Sequence, residues 1–343
     1  MKVAYYSVDK PGFAPAMLRV IAPLELLAPR CELMRGVQDL ERDPALDEHF
    51  GVDTGIARRA DVIVVQRGFP HPFSQGVVED LLSTGKPVVY ETDDDLRIVP
   101  EWHGKDNYRD SAASIEALVR RASLVTVATP YLRERYAALN PATVVLPNCL
   151  PRAIWKGAPR PRAASGGLTI GYCGTKWHER DLELVEEALI EASRRYPGLR
   201  LAFLGCVTRR LRELPNARFA RFEGDYREWP GRLAAAGIDI AVVPLADDPF
   251  NNCKSHIKFL ELGYLGIPAV FSDVAAYRDT VEDGVTGLLV RGGTQAWLEA
   301  LERLIGDWTL RRRIGESARK AVIERHLLET NCGRWLDAYR GLL

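Results

Sequence analysis

The sequence alternates between short apolar runs and longer stretches in which apolar residues recur at helical spacing. Continuous apolar runs of four or five residues are typical of strands buried on both faces of a parallel sheet, which helices cover. The first half is therefore predicted to be a doubly wound α/β domain. Its apolar runs lie at Val3–Tyr6, Asp61–Val65, Pro87–Tyr90, Ser123–Val127 and Thr143–Leu146.

The same alternation restarts after a stretch without periodicity. Residues 151–167 are rich in Pro, Ala, Gly and Arg, as expected of a connector between domains. We therefore expect two doubly wound, Rossmann-like domains that face each other across a cleft, where the carboxyl ends of the strands meet a ligand. The two domains are expected to span residues 1–150 and 151–326, followed by a helix at 327–343. One possible arrangement is that this helix packs back on the first domain. Strands of the second half are predicted at 168–172, 201–204, 219–222, 238–243 and 269–271.

The composition narrows the class of protein. The chain has 46 Lys and Arg against 46 Asp and Glu, a balance that argues against stable nucleic-acid binding. Its six cysteines form no CxxC pair, which argues against a zinc site or a disulfide framework. We also expect neither a signal peptide nor a membrane span, because no apolar run is long enough. A reducing, cytoplasmic location is the expectation.

Charged residues recur at helical spacing in a helix predicted at 254–265. Lys254, Lys258 and Glu261 would fall within about 60° on one face of that helix. Two lysines near the positive end of a helix dipole suit a diphosphate, and a carboxylate two turns further in suits the hydroxyls of a ribose. The alternative is a ladder of salt bridges on a solvated face.

This segment resembles the signature region of the GT-B retaining glycosyltransferases. The matching residues are Lys254-Ser255, Lys258-x-x-Glu261, Gly266–Ser272 and Asp283–Val290. The resemblance implies transfer of a sugar from a nucleoside diphosphate-sugar to a hydroxyl acceptor, with retention at the anomeric carbon. It implies that Glu261 binds the donor ribose and that Ser255 also contacts the donor. Because the lysines would balance the diphosphate, we expect no metal and no cofactor.

One departure from the family pattern leaves alternatives open. The family's first glutamate, which contacts the donor sugar, would stand at Cys253. Asn252 or Asp248 is a candidate substitute, and Asn251 or Asn252 is the expected N-cap of the helix. The departure also keeps open a degenerate glycosyltransferase that only binds nucleotide-sugars. A GT-B sugar-nucleotide epimerase or a phosphorylase is a further alternative.

A glycine turn follows the strand predicted at 168–172. Gly174 and Thr175, with Lys176 nearby, are the residue types whose backbone and hydroxyl groups hold a phosphate. With His178 and Asp181 the segment resembles the GT-x-x-H-x-x-D-L form of the family's donor loop. The alternative is an ordinary strand-to-helix turn in which His178 or Asp181 caps the helix.

Two motifs in the first half complete the candidate site. Asp93, Asp94 and Asp95 follow a buried strand, and Asp94 is the candidate to orient or deprotonate an acceptor hydroxyl. The metal-binding DxD motif of the GT-A fold is rejected, because that fold has a single α/β domain and the diphosphate already has cationic partners. A solvated, helix-capping turn is the alternative for each aspartate. The resemblance to GT-B enzymes also implies that Gly12, in the loop after the first strand, lies near the sugar or its phosphate.

The sequence leaves the acceptor undefined as a glycan, a lipid-linked sugar or another hydroxyl compound. Arg311, Arg312 and Arg313 lie on a late helix and are expected to form a solvated face. Contact of these arginines with anionic lipid is the alternative. It would place the protein at the inner face of the membrane as a peripheral protein.

Overall fold

A computed structural model of the chain describes residues 1–7, 9–39, 50–67, 74–103, 111–158, 167–221 and 224–343. The chain divides into two compact units. The first unit comprises Met1–Asn148, Cys253–Ser255 and Leu328–Leu343, and the second comprises Cys149–Asn252 and His256–Leu327. Among the residues that the structure describes, no helix is both long and apolar enough to cross a membrane.

The first unit is built on a six-stranded sheet in the order β2-β1-β5-β6-β7-β8, and every neighbouring pair is parallel. Its central strands are fully buried because helices cover both faces, which explains why they appear in the sequence as continuous apolar runs. A short antiparallel pair, β3 and β4, lies outside this sheet. The strands are β1 (Lys2–Tyr6), β2 (Glu32–Arg35), β3 (Val37–Asp39), β4 (Phe50–Val52), β5 (Val62–Gln66), β6 (Val88–Thr92), β7 (Leu124–Val127) and β8 (Thr143–Val145).

The helical stretch after β1 contains a π-helical segment, Met17–Ile21, between two α-helical ones. Arg19 lies in the middle of this segment and is fully buried. Its carbonyl oxygen accepts a hydrogen bond from the indole of Trp335, 2.8 Å away, so the last helix of the chain packs on this segment. The helices of the first unit are Ala14–Ala16, Ala22–Leu26, Gly55–Arg59, Ser74–Ser83, Ala112–Arg121, Pro130–Ala137, Leu328–Asn331 and Gly333–Arg340, with 3₁₀ turns at Leu96–Ile98 and Glu101–His103.

The second unit repeats this architecture with a parallel sheet in the order β11-β10-β9-β12-β13-β14. Two amphipathic helices, Glu179–Arg195 and Thr294–Gly306, pack their apolar sides into one core with the strands. The strands are β9 (Thr169–Cys173), β10 (Arg200–Leu204), β11 (Ala217–Ala220), β12 (Ile240–Val243), β13 (Ala269–Ser272) and β14 (Leu288–Val290). The remaining helices are Arg152–Trp155, Arg209–Arg212, Trp229–Ala235, Ile257–Leu265, Ala275–Arg278 and Trp308–Arg325, with 3₁₀ turns at Lys176–His178, Tyr226–Glu228 and Asn251–Cys253.

The prediction of two doubly wound α/β domains is confirmed, and each continuous apolar run is a strand. The edge strands β2 and β14 and the pair β3–β4 were not predicted. Residues of β2 are exposed or half-buried, so its sequence lacks the continuous apolar run that marks the central strands.

Candidate active site

In each sheet the strand order reverses beside one strand, and ligands of open α/β sheets bind at the carboxyl ends of strands at that point. In the second unit this strand is β9, which has β10 on one side and β12 on the other. The turn that follows β9 and the loop that follows β12 therefore lie at the expected ligand edge. In the first unit the corresponding strand is β1, between β2 and β5.

The helix that carries the lysine motif begins later than predicted. It runs from Ile257 to Leu265, and His256, which precedes it, makes no side-chain cap. Lys258 and Glu261 lie on this helix, but Lys254 precedes it, so the prediction that all three charges share one helix face is wrong. Gly266 ends the helix in the left-handed region, with φ of 74°.

The late start of the helix has a local cause in the loop before it. Asp248 accepts hydrogen bonds from the backbone amides of Phe250 and Asn251, 2.9 and 2.8 Å away. These bonds fold Asn251–Cys253 into a separate 3₁₀ turn. Neither Asn251 nor Asn252 is therefore the N-cap of the helix, and that prediction is also wrong.

Lys258 lies beside the turn that follows β9. Its ammonium group is 5.2 Å from the ring centroid of Tyr172, the fourth residue of β9. A Cβ atom on Gly174 would lie 2.4 Å from the Tyr172 hydroxyl oxygen, so this turn accommodates only glycine without rearrangement. The structure thus brings Lys258 and Gly174 together around one aromatic ring.

In the turn after β9, fewer backbone amides are available to bind a phosphate than the sequence suggested. The amide of Gly174 donates to the carbonyl oxygen of Leu204, 3.0 Å away. Thr175 is exposed and precedes the 3₁₀ turn Lys176–His178. A phosphate at this turn would therefore be held from Thr175 onward.

Glu261 is enclosed by aromatic side chains. It is 6% exposed, and burial raises the pKa of its carboxyl group to about 7. The neighbouring side chains of Trp229 and Tyr226 and the positive charge of Lys258 oppose that rise of the pKa. Trp155 packs against Tyr226, with ring centroids 6.3 Å apart. Sequence analysis did not predict this enclosure, because Trp155 and Tyr226 are both distant from Glu261 in the chain.

Asp181 connects the β9 turn to the loop after β12. One carboxylate oxygen is 2.8 Å from Nδ1 of His178, and the other accepts from the Ala246 amide and from the Asn251 side chain at 2.9 and 3.1 Å. Burial alone would raise the pKa of Asp181. The pKa is nevertheless lowered, because His178 contributes a hydrogen bond and a positive charge and the Ala246 amide donates a further hydrogen bond. His178 precedes the helix Glu179–Arg195 but makes no side-chain cap. Asp181 therefore holds His178 in one orientation.

The position of the missing family glutamate is filled by a packed thiol. Cys253 is fully buried, and burial raises the pKa of its thiol to about 12, so the thiol is neutral. Beside it, the Asn252 amide donates to Asp247 at 2.8 Å and accepts from the Ala275 amide at 3.3 Å. Asp248 bonds to its own turn, as described above. Both candidate substitutes thus hold the loop together.

In the first unit, charged side chains gather at the carboxyl ends of β1, β5 and β6. The guanidinium of Arg67 lies 3.2 Å from Asp9, 3.7 Å from Asp93 and 3.3 Å from Asp94. Asp94 also accepts from the ammonium group of Lys254, at 2.9 and 3.0 Å. Arg67 adopts a φ of 59°, which is uncommon for a residue other than glycine and is often found at functional sites.

The three consecutive aspartates have different roles in the structure. Asp95 caps the 3₁₀ turn Leu96–Ile98, as the alternative proposed, but it is fully buried where that alternative expected a solvated turn. It pairs with Arg97 and Arg135 at 2.8 and 2.7 Å, and these hydrogen bonds lower the pKa of its carboxyl group against the effect of burial. Asp94 instead pairs with Arg67 and Lys254 and remains partly exposed. Gly12 lies in the half-buried turn after β1.

Parts of the sequence are similar to known proteins. Residues 167–307 match the family model of glycosyl transferases group 1. A capsular polysaccharide biosynthesis glycosyltransferase of Staphylococcus aureus, CapM, is 27% identical over 167 residues, which are 45% of this chain and 41% of that protein. A lipopolysaccharide core biosynthesis glycosyltransferase of Rhizobium meliloti, LpsE, is 28% identical over 165 residues, 45% of this chain and 44% of that protein. The chain thus aligns with less than half the length of these curated relatives.

The fold as a whole resembles solved structures over nearly the full chain. HepE of Anabaena, in complex with UDP-glucose, superposes with a TM-score of 0.70 at 16% identity and covers 99% of this chain and 100% of that one. Sucrose-phosphate synthase of Thermosynechococcus elongatus gives a TM-score of 0.69 at 17% identity, with 99% and 98% covered. Residues 167–307 are therefore similar to the glycosyl transferases group 1 family, within a chain that has the GT-B fold.

Proposed function

We propose that the protein transfers a sugar from a nucleoside diphosphate-sugar to a hydroxyl acceptor. The observation that carries this proposal is the position of Lys258 over the Tyr172 ring, beside the Gly174 turn and three residues before Glu261. A cation beside a glycine turn suits a diphosphate, and a carboxylate one helical turn away suits a ribose diol. Thr175 and His178 complete the donor contacts in this proposal.

The relatives support the donor class. HepE was solved with UDP-glucose, and CapM is named as a glycosyltransferase of capsular polysaccharide. By analogy, we infer that this chain uses a nucleoside diphosphate-sugar as the donor and a hydroxyl group as the acceptor. A glycan or a lipid-linked sugar is the acceptor class that fits the relatives' names.

The chemistry in this proposal uses Lys254 and Asp94. Lys254 balances the negative charge that develops on the departing diphosphate, a task that preorganised cations perform well in a site shielded from water. Asp94 orients the acceptor hydroxyl or takes its proton. We expect no metal requirement, because Lys254 and Lys258 supply positive charge for the diphosphate. The family resemblance favours retention of configuration at the anomeric carbon.

A ligand panel and a turnover assay test the proposal. We expect one of UDP, GDP, dTDP and ADP to raise the unfolding temperature of the protein, because a ligand that binds only the native state stabilises it. The matching sugar donor should then release nucleoside diphosphate in the presence of a hydroxyl acceptor, and the anomer of the product, read by NMR, tests retention.

Three results would contradict the proposal in different ways. No stabilisation by any of the four nucleotides would remove the donor assignment. Stabilisation without turnover across a panel of glycan and lipid-linked acceptors would favour a binding subunit. Conversion of the donor to an isomer without any acceptor would favour an epimerase.

A further inference from the structure

A fully buried chain of polar side chains runs through the first unit and ends at Ser255. Its centre is Arg19, whose Nε donates to Glu91 at 2.6 Å. The other oxygen of Glu91 accepts from the Gln66 amide at 2.9 Å. One terminal nitrogen of Arg19 donates to the carbonyl oxygen of Leu146 and, at 3.1 Å, to Oδ1 of Asn148. A buried ion pair of this kind is costly to desolvate, so its stability contribution alone does not account for it.

The donors and acceptors along this chain determine the direction of each hydrogen bond. A guanidinium has only donors, so the oxygen of the Asn148 amide must face Arg19. The NH₂ group of Asn148 must then face Ser255, and it donates to the Ser255 hydroxyl oxygen at 2.7 Å. Because that oxygen already accepts a bond from Asn148, the Ser255 hydrogen has to be given to a different acceptor.

That acceptor is not found within the part of the chain that the structure describes. Ser255 is half-buried and follows Lys254, the residue that pairs with Asp94. A hydroxyl that is held as a donor beside an ammonium group is suited to an anionic oxygen, because both groups then donate to the same charge.

We propose that Arg19 and Asn148 are positioning residues that hold the Ser255 hydroxyl as a hydrogen-bond donor to a phosphate oxygen of the donor's diphosphate. This inference rests on the proposed function, since the ligand is the nucleoside diphosphate assigned there. It adds two residues that do not touch the ligand and that no sequence motif includes. Arg19 orients the Asn148 amide, and the amide orients Ser255.

The test uses Asn148→Asp, Ser255→Ala and the double variant. An aspartate at position 148 still pairs with Arg19, but it accepts the hydrogen of Ser255 and so reverses the bond. The probe is whichever of UDP, GDP, dTDP and ADP stabilises the wild-type protein most, with the corresponding nucleoside, and affinity is measured by calorimetry. Asn140→Asp is the matched control, because Asn140 is another buried amide of the first unit, bonded to Val119 and Ala122 instead.

We expect Asn148→Asp and Ser255→Ala each to weaken binding of the diphosphate by about tenfold or more, as for the loss of one bond to a charged group. Affinity for the nucleoside should not change. The double variant should bind the diphosphate as Ser255→Ala does, because the relay acts only through that hydroxyl. Asn140→Asp should lower the unfolding temperature while keeping the wild-type affinity.

The outcomes separate this inference from the proposed function. If the wild-type protein binds one nucleotide and both single variants bind it equally well, the relay is wrong and the function stands. If Asn148→Asp weakens binding further in the Ser255→Ala background, the added charge is responsible and the relay is also wrong. If the wild-type protein binds none of the four nucleotides, the proposed function and the relay fail together.

Discussion

The ammonium group of Lys254 lies 2.9 and 3.0 Å from the two carboxylate oxygens of Asp94, although 160 residues separate them in the chain. Lys254 was expected on a helix face, where its partners would have been its helical neighbours. Its actual partner is Asp94. The ion pair thus links the lysine proposed to bind the diphosphate with the aspartate proposed to bind the acceptor. The two groups are therefore expected to depend on each other.

Replacement of Lys254 by alanine should reduce turnover by about a hundredfold or more, on the order of 3 kcal/mol of lost transition-state stabilisation. The measurement is kcat and kcat/KM with the sugar donor identified by the ligand panel. Lys320→Ala is the control, because that lysine is exposed and its nearest carboxylate is 4.0 Å away. A turnover of Lys254→Ala close to that of Lys320→Ala would exclude Lys254 from the chemistry.

Substitution of Asp94 should affect catalysis, whereas substitution of Asp95 should affect stability. We expect Asp94→Asn to lower kcat by at least tenfold with little change in unfolding temperature, because its carboxylate is partly exposed and acts on the acceptor. Asp95→Asn should instead destabilise the fold by about 3 kcal/mol, since it leaves two arginines without their buried partner. Chemical denaturation and steady-state kinetics of both variants check this. The reverse pattern would move the proposed acceptor role to Asp95.

Glu261 should make the stability of the protein depend on pH. Burial raises the pKa of its carboxyl group to about 7 in the folded state, against about 4.3 in an unfolded chain. The folded state therefore binds a proton more tightly, so this contribution to stability is complete below pH 4.3 and is lost as the pH rises to about 7. The loss is on the order of 3 kcal/mol.

The variant Glu261→Gln should lack this loss, because an amide does not titrate. Denaturation midpoints between pH 4.5 and 8 should thus fall less steeply for Glu261→Gln than for the wild-type protein. Glu324→Gln is the control, since that carboxylate is exposed. Parallel curves for all three proteins would show that the carboxyl group of Glu261 titrates normally.

The glycine turn after β9 should tolerate no side chain. Gly174→Ala would place a methyl group 2.4 Å from the Tyr172 hydroxyl oxygen, and this ring is also the one beneath Lys258. We expect at least tenfold weaker nucleotide binding, measured by calorimetry, as the ring and the lysine are displaced. Gly76→Ala is the matched control, because it lies in a helix with open space around it and alanine favours helices. Equal affinity of the two variants would show that the turn is not part of the donor site.

The strands could be predicted from the sequence. β5 and β6, for example, are buried on both faces and therefore consist of continuous apolar runs. The helix start could not, because it depends on how Asp248 bonds to the amides of its own turn. The glycine turn and the lysine motif could be recognised as candidate phosphate-binding segments, since each is contiguous in the sequence. Their approach around Tyr172 depends on which strand lies in the centre of the sheet.

Other parts of the candidate site depend on contacts between residues far apart in the chain. Nothing near Arg67 in the sequence indicates that three carboxylates surround it, because Asp9 follows β1 whereas Asp93 and Asp94 follow β6. The enclosure of Glu261 requires Tyr226, which belongs to a short turn without periodicity. Local patterns predict elements and motifs, whereas these contacts follow from the order of strands in the sheets.

The first unit is assembled from three separate stretches of chain, and the shortest of them, Cys253–Ser255, holds Lys254 and Ser255. A chimaera that joins the first half of this protein to the second half of a relative at a single junction would replace these three residues together with the second unit. In such a chimaera, the residues that contact Asp94 and Asn148 would come from the relative. Exchange of donor specificity between such proteins should therefore keep residues 253–255 with the first half, as a three-residue insert in the grafted domain.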